Sequence, residues 1–180
     1  MSVSKPEPNS DAEAESSSNS NSAAAVTGAS GNVEFVRVHI GSEAYVFELG
    51  CVNKLVRSPS LARVPRTPPT IAGVAEIQGN VTAAIDGRTL LETDNREGVT
   101  QRILVVFARM THDQTAGILV DGIEGIETHP VDMIAPLNST DEPEEPDGDW
   151  FKAVVDEKTW VFDPEQLTEA ARRDSDQQVN

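Results

Sequence analysis

The sequence predicts an all-β protein, and three observations carry that expectation. About ten short apolar runs follow residue 32, each bounded by glycine, proline, asparagine or aspartate, the residues that turns require. Several runs alternate apolar with polar residues, the period of a half-buried strand. Helix signals gather in one segment only, near the C-terminus. Many strands with a single helix imply a sandwich or a barrel. Periodicity alone does not separate two small barrels from one larger barrel or from a sandwich.

Residues 1–32 are Ser, Asn, Ala and Glu with almost no large apolar side chain. Such a segment buries too little surface to offset the entropy of ordering, so a disordered tail is expected over 1–32 and a domain over 33–173. Val33, Phe35, Val38 and Ile40 make a first strand, Gly41-Ser42 a turn, and Tyr45 to Leu49 a second strand. From Gly50 to Arg57 the pattern allows a short turn or a strand, which Pro59 interrupts. A proline-punctuated loop, Val64-Pro65 to Pro68-Pro69, feeds apolar runs at Ile71–Ile77 and Val81–Ile85. Gly79-Asn80 separates those runs and Asp86-Gly87-Arg88 closes the second, hairpin signals because glycine reaches positive φ without a Cβ clash.

Leu90 to Val99 is polar and loop-like, whereas Ile103 to Ala108 (ILVVFA) is unbroken and suits a strand buried on both faces. Thr111 to Gln114 is a turn, Ala116 to Val120 a strand, and Asp121-Gly122 a turn into Ile123 to Glu127. Pro130 to Met133 fits one helical turn before Ile134 and Pro136. Asn138 to Asp149, with six acidic residues and two prolines, is expected to be a solvated acidic loop. Trp150–Val155 and Thr159–Phe162 form a last hairpin around Asp156-Glu157-Lys158. Asp163 is an N-cap and Pro164 a first helical residue, so a helix should run through Arg173 with Leu167, Ala170 and Ala171 on its apolar side. Residues 174–180 are expected to be flexible.

The net charge is −16, divided as −3 over residues 1–32, −4 over 33–137 and −9 over 138–180. Self-repulsion of this kind favours solubility and disfavours nucleic-acid phosphates. Only four of the fourteen basic residues are lysine, and aromatics are 4%. Acidic, lysine-poor and aromatic-poor composition resembles that of proteins from cells with high internal salt, such as a halophilic archaeon; the alternative is an ordinary acidic protein with a charged tail. The longest apolar runs fall far short of the roughly 20 residues of a membrane helix. Cys51 is the one cysteine, so no internal disulfide is expected and a cytoplasmic setting is the default.

Catalytic and metal chemistry find little purchase. His39, His112 and His129 are far apart and read as strand or turn residues. With one cysteine there is no zinc spacing, and the sequence holds no G-x-x-x-x-G-K-[ST], G-x-G-x-x-G or G-x-S-x-G motif. The acids of 141–149 have no apolar shelter to shift their pKa values. The expectation is a non-enzyme without cofactor or metal. One exception stands out in the charge pattern: Lys54, Arg57, Arg63 and Arg66 cluster beside the proline loop. They are either a docking patch or arginines paired with acids of the same domain.

The stretch Arg63 to Leu91, RVPRTPPTIAGVAEIQGNVTAAIDGRTLL, resembles the centre of the CheW family of chemotaxis adaptors, roughly V-P-x-x-P-x-x-I-x-G-V-x-N-L-R-G-x-x-x-P-V-I-D-L-R. Ile71, Gly73-Val74, Gly79, Ile85-Asp86 and Arg88 keep that signature. Tyr45 to Leu49 with Val52 is similar to the family's Y-x-I-D-I strand and the groove valine after it, and Asp121-Gly122 to its V-D-x-V turn in the second lobe. Ile134 and Pro136 fit the I-x-P that follows, and Trp150 to Leu167 the closing hairpin and helix. The family's N-L-R-G is Glu76-Ile77-Gln78-Gly79, so the usual arginine's planar fork is gone. Lys54 reverses the usual acidic charge two residues after the groove valine, and Gly87 replaces a customary leucine.

The resemblance implies two adjacent five-stranded SH3-like β-barrels with a short C-terminal helix over Val33 to Ala171. It implies a non-enzymatic adaptor coupling methyl-accepting chemoreceptors to a CheA-type histidine kinase, recruited from the cytoplasm to receptor arrays. No nucleic acid, membrane insertion or small-molecule substrate is expected. The alternative is a divergent regulator that competes with a standard adaptor or binds a different partner. Carried onto this sequence, Val52, Lys54, Glu76 and Gln78 are receptor-groove candidates. Arg57, Arg63, Arg66, Asp86 and Arg88 are kinase- or partner-docking candidates, and Gly73, Gly79, Asp121 and Gly122 are structural turns.

Overall fold

The computed structural model describes residues 1, 31–93, 102–108, 115–137 and 149–177, and among them eleven strands form two sheets. Nearly all of the expected tail over 1–32 and acidic loop over 138–149, and the turn at Thr111 to Gln114, lie outside the described residues. The chain begins with β1 (Asn32–Ile40) and β2 (Glu43–Glu48), then one 3-10 turn, Leu49–Cys51, carries it into a second sheet. There β3 (Val52–Arg57), β4 (Ile71–Ile77), β5 (Asn80–Asp86), β6 (Ile103–Phe107) and β7 (Thr115–Val120) lie in the order β3-β6-β7-β5-β4. The chain then returns. β8 (Gly122–Pro130), β9 (Ile134–Pro136), β10 (Phe151–Val155) and β11 (Thr159–Phe162) join the first two strands in the order β8-β1-β2-β11-β10-β9. The five-stranded lobe is therefore inserted between the two halves of the six-stranded lobe.

Strand alternation sorts side chains into three cores. On β6, Ile103, Val105 and Phe107 face one way and Leu104 and Val106 the other, and all five are buried. This is the two-sided burial that the unbroken ILVVFA run predicts. Leu104 and Val106 meet Ala75, Ala84 and Leu119 inside the five-stranded lobe. Phe35, Val46, Ala153, Val155 and Val161 fill the six-stranded lobe. Between the lobes lies a larger shared core, built from Val36, Val38, Ile40 and Phe47 on one side and Ile85, Val105 and Ile118 on the other.

Helix α2 (Pro164–Gln177) covers that shared core with Leu167 and Ala171, one turn apart and both buried. Asp163 caps it as expected, its Oδ1 accepting from the Glu165 and Gln166 backbone N–H groups at 2.9 and 3.3 Å. The helix continues past Arg173 to Gln177.

Three local differences have clear causes. The six-stranded lobe exceeds the expected five because Ile134–Pro136 adds a short strand along β10, with Val155 opposite Ile134. The central hairpin turns at Gln78-Gly79, with φ of 54° and 83°, and Asn80 is already the first residue of β5, opposite Ile77. Two consecutive positive φ values make this the tight turn whose twist matches the strands, and it forces a non-glycine residue into the left-handed region. Asp86-Gly87-Arg88 is not a simple turn but the start of a one-turn helix, α1 (Gly87–Leu90), capped by Asp86 Oδ1. Gly87 leaves no room for leucine: a Cβ there would stand 2.7 Å from the Leu119 carbonyl oxygen.

Candidate docking sites on the five-stranded lobe

The proline loop, residues 58–70, lies over one side of the five-stranded lobe. It closes back on β4 through paired backbone hydrogen bonds between Ala62 and Val74, at 2.8 and 2.9 Å. Gly73 permits this approach, since a Cβ there would meet the Ala62 carbonyl oxygen at 2.5 Å. Gly73 thus lies at a bulge within β4 rather than at a turn. Between the loop and the ends of β5 and α1 runs an open groove of about 1440 Å³, lined among others by Arg63, Arg66, Asp86, Arg88 and Arg102.

These residues are not equivalent. Asp86 receives two hydrogen bonds from Arg102, Nη1 to Oδ2 at 2.7 Å and Nη2 to Oδ1 at 2.8 Å. Arg88 Nε donates to Asp121 at 2.8 Å, and the same carboxylate accepts from the Gly41 N–H at 2.7 Å. Asp121 is the bend where the chain crosses from β7 back to β8, so this carboxylate ties both lobes at their junction. Burial pushes the Asp86 carboxyl up. The Arg102 hydrogen bonds and charge, with the Thr89 and Arg88 N–H groups, outweigh burial and hold it below the ordinary carboxylate value. By contrast, Arg57, Arg63 and Arg66 are exposed and form no ion pair among the described residues. Arg57 lies on β3 opposite Ile103, outside the groove lining.

The receptor-groove candidates separate in a different way. Lys54 and Gln78 line a second, smaller pocket of about 260 Å³ at the end of the five-stranded lobe, with Asn53, Asn80, Thr82 and Thr115. Among the described residues no acidic side chain lines it. Val52 lies outside that lining, packed against the shared core at the start of β3, opposite Phe107. Glu76 is exposed on β4 beside Val81, which is 68% exposed, and stays outside the pocket. Thr82 is fully buried, and its Oγ1 has no hydrogen-bond partner among the described residues.

On the six-stranded lobe, Arg37 of β1 holds Glu127 of β8 by two hydrogen bonds of 2.6 and 3.0 Å. Burial raises the Glu127 carboxyl, but Arg37 and His129 together bring it below its ordinary value. His39 and His129 sit in β1 and β8 beside Glu124 and Glu127, at 2.7 and 3.0 Å, while His112 lies outside the described residues. Half-burial raises the Cys51 thiol.

Two residues escape sequence reasoning. Arg102 precedes ILVVF and nothing in its spacing names Asp86 as its partner. Thr82 carries a readable signal, since it is in phase with the inward-facing Ala84 and so brings a hydroxyl into an aliphatic lobe.

A family model described as CheW-like domain matches residues 34–170. Among solved structures, the crystal structure of scaffolding protein TtCheW from Thermoanaerobacter tengcongensis is similar, with a TM-score of 0.65 and 18% identity over 76% of this chain and 92% of that one. A search of curated proteins finds no significant match.

Proposed function

The chain belongs to the CheW-like domain family, and from that premise we propose that it is a non-enzymatic adaptor coupling chemoreceptors to a CheA-type histidine kinase. The observation that carries this reading is the extent of the family match, which spans strands of both lobes rather than one motif. The solved structure that the chain resembles is that of a scaffolding protein. In this reading Arg57, Arg63 and Arg66, which form no ion pair among the described residues, meet an acidic face of the kinase or another partner. Asp86 and Arg88, already paired with Arg102 and Asp121, shape the groove from beneath. The receptor meets the end of the same lobe around Lys54 and Gln78, over Val52. Contacts of this kind are small and exposed, so an array of receptors would supply holding power by avidity. Among the described residues no helix is long and apolar enough to cross a membrane, so the protein would reach the array through its partners.

Co-sedimentation of the full chain with receptor-bearing membranes and the kinase tests the proposal. Binding that weakens with salt supports it, because rim charges screen within about 8–10 Å at ordinary ionic strength. No co-sedimentation at any salt rejects it. Intact chemotaxis after gene deletion, with binding retained, points instead to a divergent regulator.

A further inference from the structure

We propose that Arg66, at the tip of the proline loop, is the residue that anchors this face to the kinase, by receiving one of the kinase's carboxylates. The inference rests on the adaptor reading and names the contact that reading needs. The tip is a turn from Val64 to Thr67 with Pro65 and Arg66 at its centre. Proline fixes the first central φ, and the second is positive, 65° at Arg66. A turn of this kind calls for glycine or asparagine at that second position, because a larger side chain strains the backbone there. Hairpin tips impose the same conformation on Gln78, Asp156 and Glu157. No strand pairing imposes it on Arg66. The fold makes no use of the guanidinium either: Arg66 is exposed and forms neither an ion pair nor a hydrogen bond among the described residues. Strain kept at a position whose side chain the fold does not employ points to a contact made outside it.

The loop on either side of the tip is held in place. The Ser58 N–H donates to the Arg102 carbonyl at 2.8 Å, and Ala62 is paired with Val74. Beyond the tip, the Ile71 N–H donates to the Pro68 carbonyl at 2.9 Å and the Asp86 N–H to the Thr70 carbonyl at 2.7 Å. Pro68 is buried, and Thr67 Oγ1 donates back to the Val64 carbonyl at 2.9 Å. A tip fixed in this way loses little freedom on docking. Val64 and Pro65 stand exposed between Arg63 and Arg66. The complementary surface is therefore a shallow apolar spot rimmed by Asp or Glu, one of which accepts the planar fork of Arg66. In a chain of net charge −16, a basic tip also orients the approach of an acidic partner.

Two readouts of opposite sign test this on the full chain: the urea midpoint, and co-sedimentation with the CheA-type kinase of the same cell. Arg66→Asn should raise the midpoint by about 0.2–0.3 M, because asparagine tolerates the left-handed conformation better. The same variant should bind the kinase about tenfold more weakly. Arg66→Lys keeps both the charge and the strain, so its midpoint should not move and its binding should stay within about threefold of the parent. A midpoint that shifts in Arg66→Lys as it does in Arg66→Asn overturns the argument from strain. A midpoint that falls in Arg66→Asn shows that an acid of this chain already holds the guanidinium, and overturns the proposal. An Arg66→Asn chain that is more stable and binds as well as the parent overturns the anchor and leaves the adaptor reading intact. A parent chain that binds no kinase overturns both.

Discussion

Of the eight aromatic residues in the chain, seven belong to the six-stranded lobe and only Phe107 to the five-stranded one. Phe162 stands among the rings of Phe151, Phe47 and Tyr45 at 4.8, 4.9 and 5.0 Å, so the face that the six-stranded lobe turns to the shared core is filled by volume. The five-stranded lobe is filled by nearness instead. Its own core is Ala75, Ala84, Leu104, Val106 and Leu119, and Gly117 lies directly against the Val105 carbonyl with no space for a Cβ. A region packed by rings should suffer when atoms are removed, and a lobe packed by close backbones when atoms are added.

The sharpest way to break that contrast is Phe162→Ala, expected to cost about 3–5 kcal/mol by the urea midpoint. Because Phe162 belongs to the shared core, a single unfolding transition should persist, and a loss below about 1 kcal/mol would contradict packing by volume. In the opposite sense, Gly117→Ala adds one methyl and should cost about 1–3 kcal/mol, while an unchanged midpoint would show that the sheet yields easily. Acid probes both regions at once. Asp86 at the junction and Glu127 on the six-stranded lobe are both held below ordinary carboxylate values. Their contribution is complete above the unfolded values of about 4 and drains as pH falls through the lower folded values. Asp86→Asn and Glu127→Gln should each flatten the fall in stability between neutral pH and that window, and an unchanged slope would deny the coupling. The smallest effect is expected at the hairpin tip. Asn tolerates the left-handed conformation of Gln78 better than Gln, so Gln78→Asn should raise the stability by roughly 0.5 kcal/mol, and a lower urea midpoint would show that the side chain is otherwise engaged.

Strands, hairpins and the capped helix were legible because periodicity and turn residues act locally. ILVVF declared two-sided burial, and Asp163-Pro164 declared a helix start. Two lobes came from the resemblance, since alternation cannot say which sheet a strand joins. The pairing of β2 with β11, Tyr45 opposite Trp160, is long-range and leaves no mark in either strand. The site was partly legible. Lys54 and Gln78 share a pocket, but Glu76 is excluded by strand parity, facing out where Ala75 and Ile77 face in. Asp86 and Arg88 looked available because composition does not show that Arg102 and Asp121 already hold them. Gly87 looked like a lost contact because sequence does not show the carbonyl of Leu119 beside it.

The insertion of one lobe within the other sets an order for biosynthesis. Residues 52–120 contain every strand of the inner sheet and can pair as soon as they leave the ribosome, while Ile85, Val105 and Ile118 still await the shared core. β1 and β2 emerge first yet must wait for β8 and β11 before their edges are covered. The outer lobe is thus the last to mature, and a truncated nascent chain would display an open edge beside a sheet whose strands are already paired.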